Sequence, residues 1–173
     1  MPDITDKLKY IKLLLLDVDG VLTDGTIIYN DLKVETKNFN VKDGLGIKLL
    51  MNAGIQVCIV TGRGSQALHH RCRDIGISHI FENVKDKAEI LCRIGKLTGI
   101  SSENTAFVGD DLPDLALMKR VAVSFAVADA HETVRKYADM VTMAKGGRGA
   151  VREICEIILK AGKHWEKAVE SFL

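Results

Sequence analysis

The sequence predicts a three-layer α/β fold: a parallel sheet with helices on both faces and a β-hairpin projecting from it. Three observations lead there. Ile11 and Leu13 to Leu16 form a short, near-continuous apolar run, the pattern of a central strand covered on both faces. Further apolar runs, IQVCIV and TAFV, are separated by segments of helical length, which gives βαβ units and parallel pairing. Finally, polar residues follow these runs at once: Asp17, Asp19 and Asp24 after the first, Thr61 after the second, and Asp110, Asp111 and Asp114 after the third. Open α/β sheets place their ligands at the carboxyl edge of the strands, so these residues mark a site there.

The elements follow in order. After the first strand, GTIIYNDLKVETKNFN contains two β-rich runs around Asn30-Asp31, a hairpin over about 25–40. Ile27, Ile28, Tyr29, Val34 and Phe39 make it too apolar to stand alone in water, so something should cover it. Folding back on its own domain is the lesser alternative to cover by a neighbour. Lys42-Asp43-Gly44 opens a helix with Leu45, Leu49 and Leu50 on one face, closed at Gly54; Ile55 to Val60 is the next strand. A helix over Ser65 to Asp74 ends at Gly76, and Ser78 to Phe81 is a short strand. Asp86 caps a helix that runs to Thr98 and stops at Gly99. Thr105 to Val108 is a strand, Pro113 to Arg120 a helix, and Val121 to Phe125 a strand. Asp129 to Tyr137 reads as helical, Met140 to Thr142 as a strand, and Ala150 to Ala161 as an amphipathic helix. The tail, Gly162 to Leu173, mixes charge with Trp165, Val169, Phe172 and Leu173; docking on a neighbour, closure over the site and terminal disorder all fit it.

Composition narrows the function. With 173 residues, 47% apolar and 27% charged, the chain suits one soluble domain with a sizeable core. A formal net charge of +1 offers no broad field for nucleic acid or an anionic membrane. The start, MPDITDKLKY, shows no basic leader before an apolar segment, and no apolar run nears the ~18 residues that span a bilayer, so a cytoplasmic location is expected. Cys58, Cys72, Cys92 and Cys155 are scattered and read as reduced thiols. His69 and His70 are adjacent, so on a helix they point apart, and they read as rim residues.

The chemistry follows from the acids. Asp17, Asp19, Asp110, Asp111 and Asp114, five carboxylates at one sheet edge, repel one another and raise each other's pKa unless a cation sits among them. A hard divalent ion, most simply Mg²⁺, relieves this and bridges to a phosphate.

DVDGVLTDG, VTGR, Lys87 and GDDLPD resemble the four ordered motifs of the haloacid dehalogenase (HAD) superfamily of phosphohydrolases. DVDGVLTDGTIIY, VTGRGSQALHHRCRDIGI, VGDDLPD, VAVADA and GGRGAVREIC resemble, more narrowly, the 3-deoxy-D-manno-octulosonate (KDO) 8-phosphate phosphatases of lipopolysaccharide precursor synthesis. The resemblance implies a Rossmannoid, HAD-like sheet and a Mg²⁺-dependent phosphomonoesterase. It places metal ligands at the Asp17 side chain, the Asp19 backbone carbonyl and the Asp110 side chain, with Asp111 on a metal-bound water and Asp114 supporting them. It makes Asp17 the nucleophile that forms an aspartyl-phosphate, and Asp19 the acid and base. Thr61 and Lys87 hold the phosphoryl oxygens; Lys85 competes with Lys87 for that role.

The intervals between motifs hold no lid domain, so the site is uncapped. In the family the hairpins of four subunits associate, which implies a homotetramer. Arg63, Arg71 and Arg148 suit the carboxylate of a sugar acid and, in the resemblance, go with the eight-carbon acid. A nine-carbon sugar acid phosphate is the alternative substrate. Two other classes compete: a non-catalytic oligomerisation module, opposed by Asp17, Asp19, Thr61 and Lys87 occurring together, and a phospho-accepting signalling domain, whose acids come in another order.

Overall fold

The computed structural model describes residues 4–173. A short helix α1 (Ile4–Leu8) leads into β1 (Leu13–Leu16), whose four leucines are fully buried. The hairpin pairs β2 (Ile28–Tyr29) with β3 (Glu35–Thr36), and α2 (Val41–Asn52), β4 (Gln56–Val60), α3 (Gln66–Ile75) and β5 (His79–Phe81) follow. Then come α4 (Lys87–Thr98), β6 (Thr105–Gly109), α5 (Leu115–Met118), β7 (Val123–Ala126), α6 (Glu132–Tyr137), β8 (Met140–Val141), α7 (Ala150–Ala161) and α8 (Trp165–Glu170).

Six strands form one parallel sheet in the order β5-β4-β1-β6-β7-β8. Helices flank it in two packed groups, α1, α2, α3, α7 and α8 in one and α4, α5 and α6 in the other. The apolar run of β1 therefore lies between two strands and two layers of helix, which is why none of its positions is polar.

Register sets the site. Leu16 is paired with Ile59 on one side and Val108 on the other. Asp17 is thus level with Val60 and Gly109, and Thr61 and Asp110 lie one residue, roughly 3.3 Å, further along the same edge.

Local chemistry explains most boundaries. Asn40 caps α2 by accepting from the Lys42 N–H at 2.8 Å, and Ser65 caps α3 by accepting from Leu68 at 3.2 Å. Gly76, left-handed at φ 88°, ends α3.

Four expectations change. The helix expected over Pro113 to Arg120 is a 3-10 turn, Leu112–Asp114, followed by the single turn α5, because Asp114 bends back to accept from backbone N–H groups behind it. The helix expected from Asp129 begins only at Glu132: the Asp129 carboxylate accepts instead from Gly146 N–H at 2.9 Å, and His131 Nδ1 caps α6. Helix α1 was not anticipated; five residues carry too little periodicity to announce it. The tail forms α8 and docks on its own chain, where Trp165 lies against the core with the cations of Arg152 and Lys160 5.7 and 5.0 Å from its ring.

The hairpin is not folded back over its own apolar face. Ile27, Ile28, Tyr29, Leu32 and Val34 remain 40–82% exposed; Phe39, past the hairpin, packs on the core with Arg71 over its ring. Cys58, Cys72 and Cys155 are buried thiols and Cys92 is exposed; all four are free.

Candidate active site

The carboxyl edge of the sheet opens into a cleft of about 480 Å³ lined by residues including Asp17, Asp19, Thr61, Arg63, Lys85, Lys87, Asp110, Asp111 and Asp114. Four pieces of backbone deliver them: the loops after β1, β4 and β6, and the start of α4 with the two residues before it. Asp17 ends β1 and donates its N–H to the Val108 carbonyl at 3.1 Å, as though the strand continued one residue more. Gly20 follows in the left-handed region, φ 87°, and a side chain there would meet Asp110 Oδ2 at 2.0 Å. Only glycine lets the first loop lie against that carboxylate. The Gly146-Gly147 loop in turn rests on Gly20, with Gly147 N–H donating to the Val21 carbonyl at 2.8 Å.

At the bottom of the cleft Lys87 Nζ lies 3.0 Å from Asp17 Oδ1 and donates to Asp114 Oδ1 at 2.6 Å. Asp114 is 1% exposed, and its other oxygen accepts from the Asp110 and Asp111 N–H groups at 2.8 and 3.3 Å. Both of its oxygens are therefore engaged. Asp111 caps the 3-10 turn, accepting from Leu112 at 2.8 Å.

Carboxylate oxygens of Asp17, Asp110 and Asp114 can all lie within 4.8 Å of one another. Burial pushes the Asp110 carboxyl up to about 8, with the charges of Asp17, Asp114 and Asp111 adding to it. Burial also raises Asp17, to about 6, against the pull of Lys87. Burial alone would depress Lys87, but Asp17 and Asp114 outweigh it and leave its pKa raised. The structure thus concentrates acids where they resist ionising.

A divalent cation fits this arrangement. Oδ1 of Asp17 is buried and accepts no well-formed hydrogen bond, and Asp110 stands beside it with its pKa raised. Asp17 and Asp110 would hold the ion by their side chains, all hard oxygen donors; Asp114, already engaged twice, serves them through Lys87 and the backbone.

Above this layer lies a second network. Lys37 donates to Asp19 Oδ1 and stands 2.8 Å from Glu35 Oε1, while Glu35 Oε2 accepts from Arg63 at 3.0 Å. Arg63 also donates to the Tyr29 hydroxyl at 2.9 Å and places Nε 3.7 Å from Asp19 Oδ2. Thr61 is buried, and its hydroxyl accepts from the Arg63 N–H at 3.3 Å.

The three arginines do not converge. Arg63 lines the cleft; Arg71 donates to the Asn40 carbonyl at 3.1 Å, and Arg148 lies 3.3 Å from Asp24, both outside the lining. His69 pairs with Glu82 at 2.9 Å, away from the cleft floor. Sequence reasoning passed over Lys37 and Glu35. The available signal was their i, i+2 spacing, which puts opposite charges on one face of a strand.

Comparison with known proteins bears on this geometry. Residues 75–154 match a family described as haloacid dehalogenase-like hydrolase. The 3-deoxy-D-manno-octulosonate 8-phosphate phosphatase of Escherichia coli K12 is 44% identical over 159 residues, 92% of this chain and 85% of the relative. The chain belongs to this phosphatase family. Its counterpart in Yersinia pestis is 42% identical across 96% of this chain and 89% of its own. A crystal structure of the phosphatase from Moraxella catarrhalis, in complex with magnesium ion, phosphate ion and KDO, superimposes with a TM-score of 0.95 at 43% identity, covering 98% of both chains. The cobalt-bound phosphatase from Haemophilus influenzae gives a TM-score of 0.91 at 40% identity, covering 95% of this chain and 99% of that one.

Proposed function

We propose that this protein hydrolyses 3-deoxy-D-manno-octulosonate 8-phosphate to the free sugar acid and inorganic phosphate with Mg²⁺. The observation that carries the reading is the cluster of buried Asp17, Lys87 and Asp114 with half-buried Asp110 at the floor of an open cleft, with Asp19 on its wall. Asp17, Asp19, Thr61 and Lys87 lining one cleft together argue against a mere binding or oligomerisation module.

Asp17 supplies the nucleophile. Fixed at a strand end, its carboxylate attacks the phosphorus in line, and the bond to the sugar oxygen breaks. Asp19, two residues on, gives a proton to the departing alkoxide. It then takes one from the water that attacks the phosphorus of the Asp17 aspartyl-phosphate, which releases phosphate and restores the Asp17 carboxylate. Lys87 steadies Asp17 and the phosphoryl oxygens, and Thr61 offers a hydroxyl from the end of β4. Asp17 and Asp110, with the Asp19 carbonyl, hold the Mg²⁺, whose charge stabilises the charge gathered on the phosphoryl group.

Arg63 would meet the sugar's carboxylate, a reading supported by its lining the cleft near Asp19. Arg71 and Arg148 would act from outside that lining. The apolar hairpin supports a homotetramer in which neighbours cover one another's Ile28, Leu32 and Val34. The whole chain acts as one domain, in the cytoplasm; among the described residues no helix is long and apolar enough to cross a membrane.

The test is phosphate release from KDO 8-phosphate with Mg²⁺, with EDTA, and from Asp17→Asn. Release that depends on the metal and on Asp17 supports the reading; release indifferent to both ends it.

A further inference from the structure

We propose that Lys37 is a positioning residue: it holds one oxygen of Asp19 so that the other, Oδ2, is the atom left to exchange the proton with the leaving group. The inference rests on the phosphatase reading above and adds to it a residue outside the cleft lining.

Lys37 is out of keeping with its surroundings. It follows directly on the hairpin, whose apolar side chains stand 40–82% exposed, yet its own side chain is only 2% exposed. A lysine sheds its water at heavy cost and stays buried only against anions that replace it. Two anions do so here. Asp19 Oδ1 accepts from Nζ, and Glu35 Oε1 lies 2.8 Å away. Burial would depress the Lys37 pKa, but these partners outweigh it and raise it.

The consequence falls on Asp19. Its Oδ1 is committed to Lys37, which fixes the carboxylate plane. Its Oδ2 is buried and accepts no hydrogen bond, with Arg63 Nε 3.7 Å off. Asp19 itself lines the cleft beside Asp17, whereas Lys37 does not. The lysine therefore touches no reacting atom and acts through the aspartate. Glu35 braces it from behind, tied by Arg63 to the Tyr29 hydroxyl, so the root of the hairpin works as a clamp on the acid.

Phenyl phosphate and p-nitrophenyl phosphate separate this role from simple folding, because they have nearly the same shape and differ in how much the departing oxygen needs a proton. For each, kcat/KM with Mg²⁺ reports the steps up to release of the phenol. Lys37→Met should lower kcat/KM for phenyl phosphate by about tenfold or more, and for p-nitrophenyl phosphate by less than about threefold. In an Asp19→Asn background the same substitution should add no further loss. If Lys37→Met fails to melt cooperatively, Lys37→Gln, which keeps a donor but loses the charge and reach, carries the test, with the same split expected in smaller measure. Equal loss on both substrates in a folded variant, no loss on either, or a full added loss without Asp19 would overturn the proposal. If the wild type releases no phosphate from KDO 8-phosphate and Asp17→Asn matches it, the phosphatase reading itself falls; if it releases phosphate and only the split is missing, Lys37 alone does.

Discussion

The floor of the cleft and the hairpin beside it are built in opposite ways. Asp17, Lys87 and Asp114 are buried where their elements meet the sheet edge, and Lys87 and both oxygens of Asp114 are engaged. The hairpin has two residues in each strand and shows its apolar side chains to solvent. A rigid edge suits chemistry, where a fraction of an ångström decides the rate; an exposed ribbon suits contact with something larger. Lys37 joins the two, because it leaves the hairpin and ends on Asp19.

The largest expected effect breaks the floor. Asp17→Asn should abolish phosphate release, since an amide is no nucleophile, while the chain keeps its fold. Next, Lys87→Gln should cut kcat by about 10²–10³, the cost of losing one preorganised partner of the developing charge. It should also lower the melting temperature, because Asp17 and Asp114 are left facing each other.

The third effect concerns pH and metal. Asp110 ionises near 3.8 when unfolded and only at about 8 in the folded chain. Its neutral form therefore favours the fold fully below pH 3.8, and that contribution drains away as pH rises toward 8. Melting temperatures in EDTA should fall through this window, Asp110→Asn should flatten the fall, and Mg²⁺ should offset it. Binding of Mg²⁺ near neutral pH should release protons, measurable by calorimetry in buffers of different ionisation enthalpy. A flat profile for the metal-free protein would mean that the acids are not held against ionisation.

The smallest effect sharpens the hairpin side. Arg63→Ala should raise KM for the acidic sugar phosphate more than for a neutral one, and Arg148→Ala should do so less, because its side chain is 70% exposed and outside the cleft lining. Equal loss on acidic and neutral sugars would remove the argument from carboxylate recognition.

Much of this was legible in the chain because it lies in short, strongly patterned stretches. LLLL followed by Asp17 could be read directly: burial on both faces and a sheet edge follow from the run and the acids after it. Ser65, Gly76 and Gly99 marked helix ends through local chemistry. Asp114 misled, because a residue counted as helical turns back to serve the amides of Asp110 and Asp111 before it in the chain. The clamp was invisible for a different reason. Lys37 and Asp19 are 18 residues apart, and nothing in TKNFN shows that a lysine will lose its water. The docking of α8 depends likewise on Trp165 meeting cations from α7, which is a tertiary contact.

The most direct test is chemical trapping. With substrate labelled in its phosphate, acid quenching during turnover with Mg²⁺ should leave label on the peptide that contains Asp17 and on no other, and Asp17→Asn should leave none. Phosphate release at full rate with no label on that peptide would contradict the account.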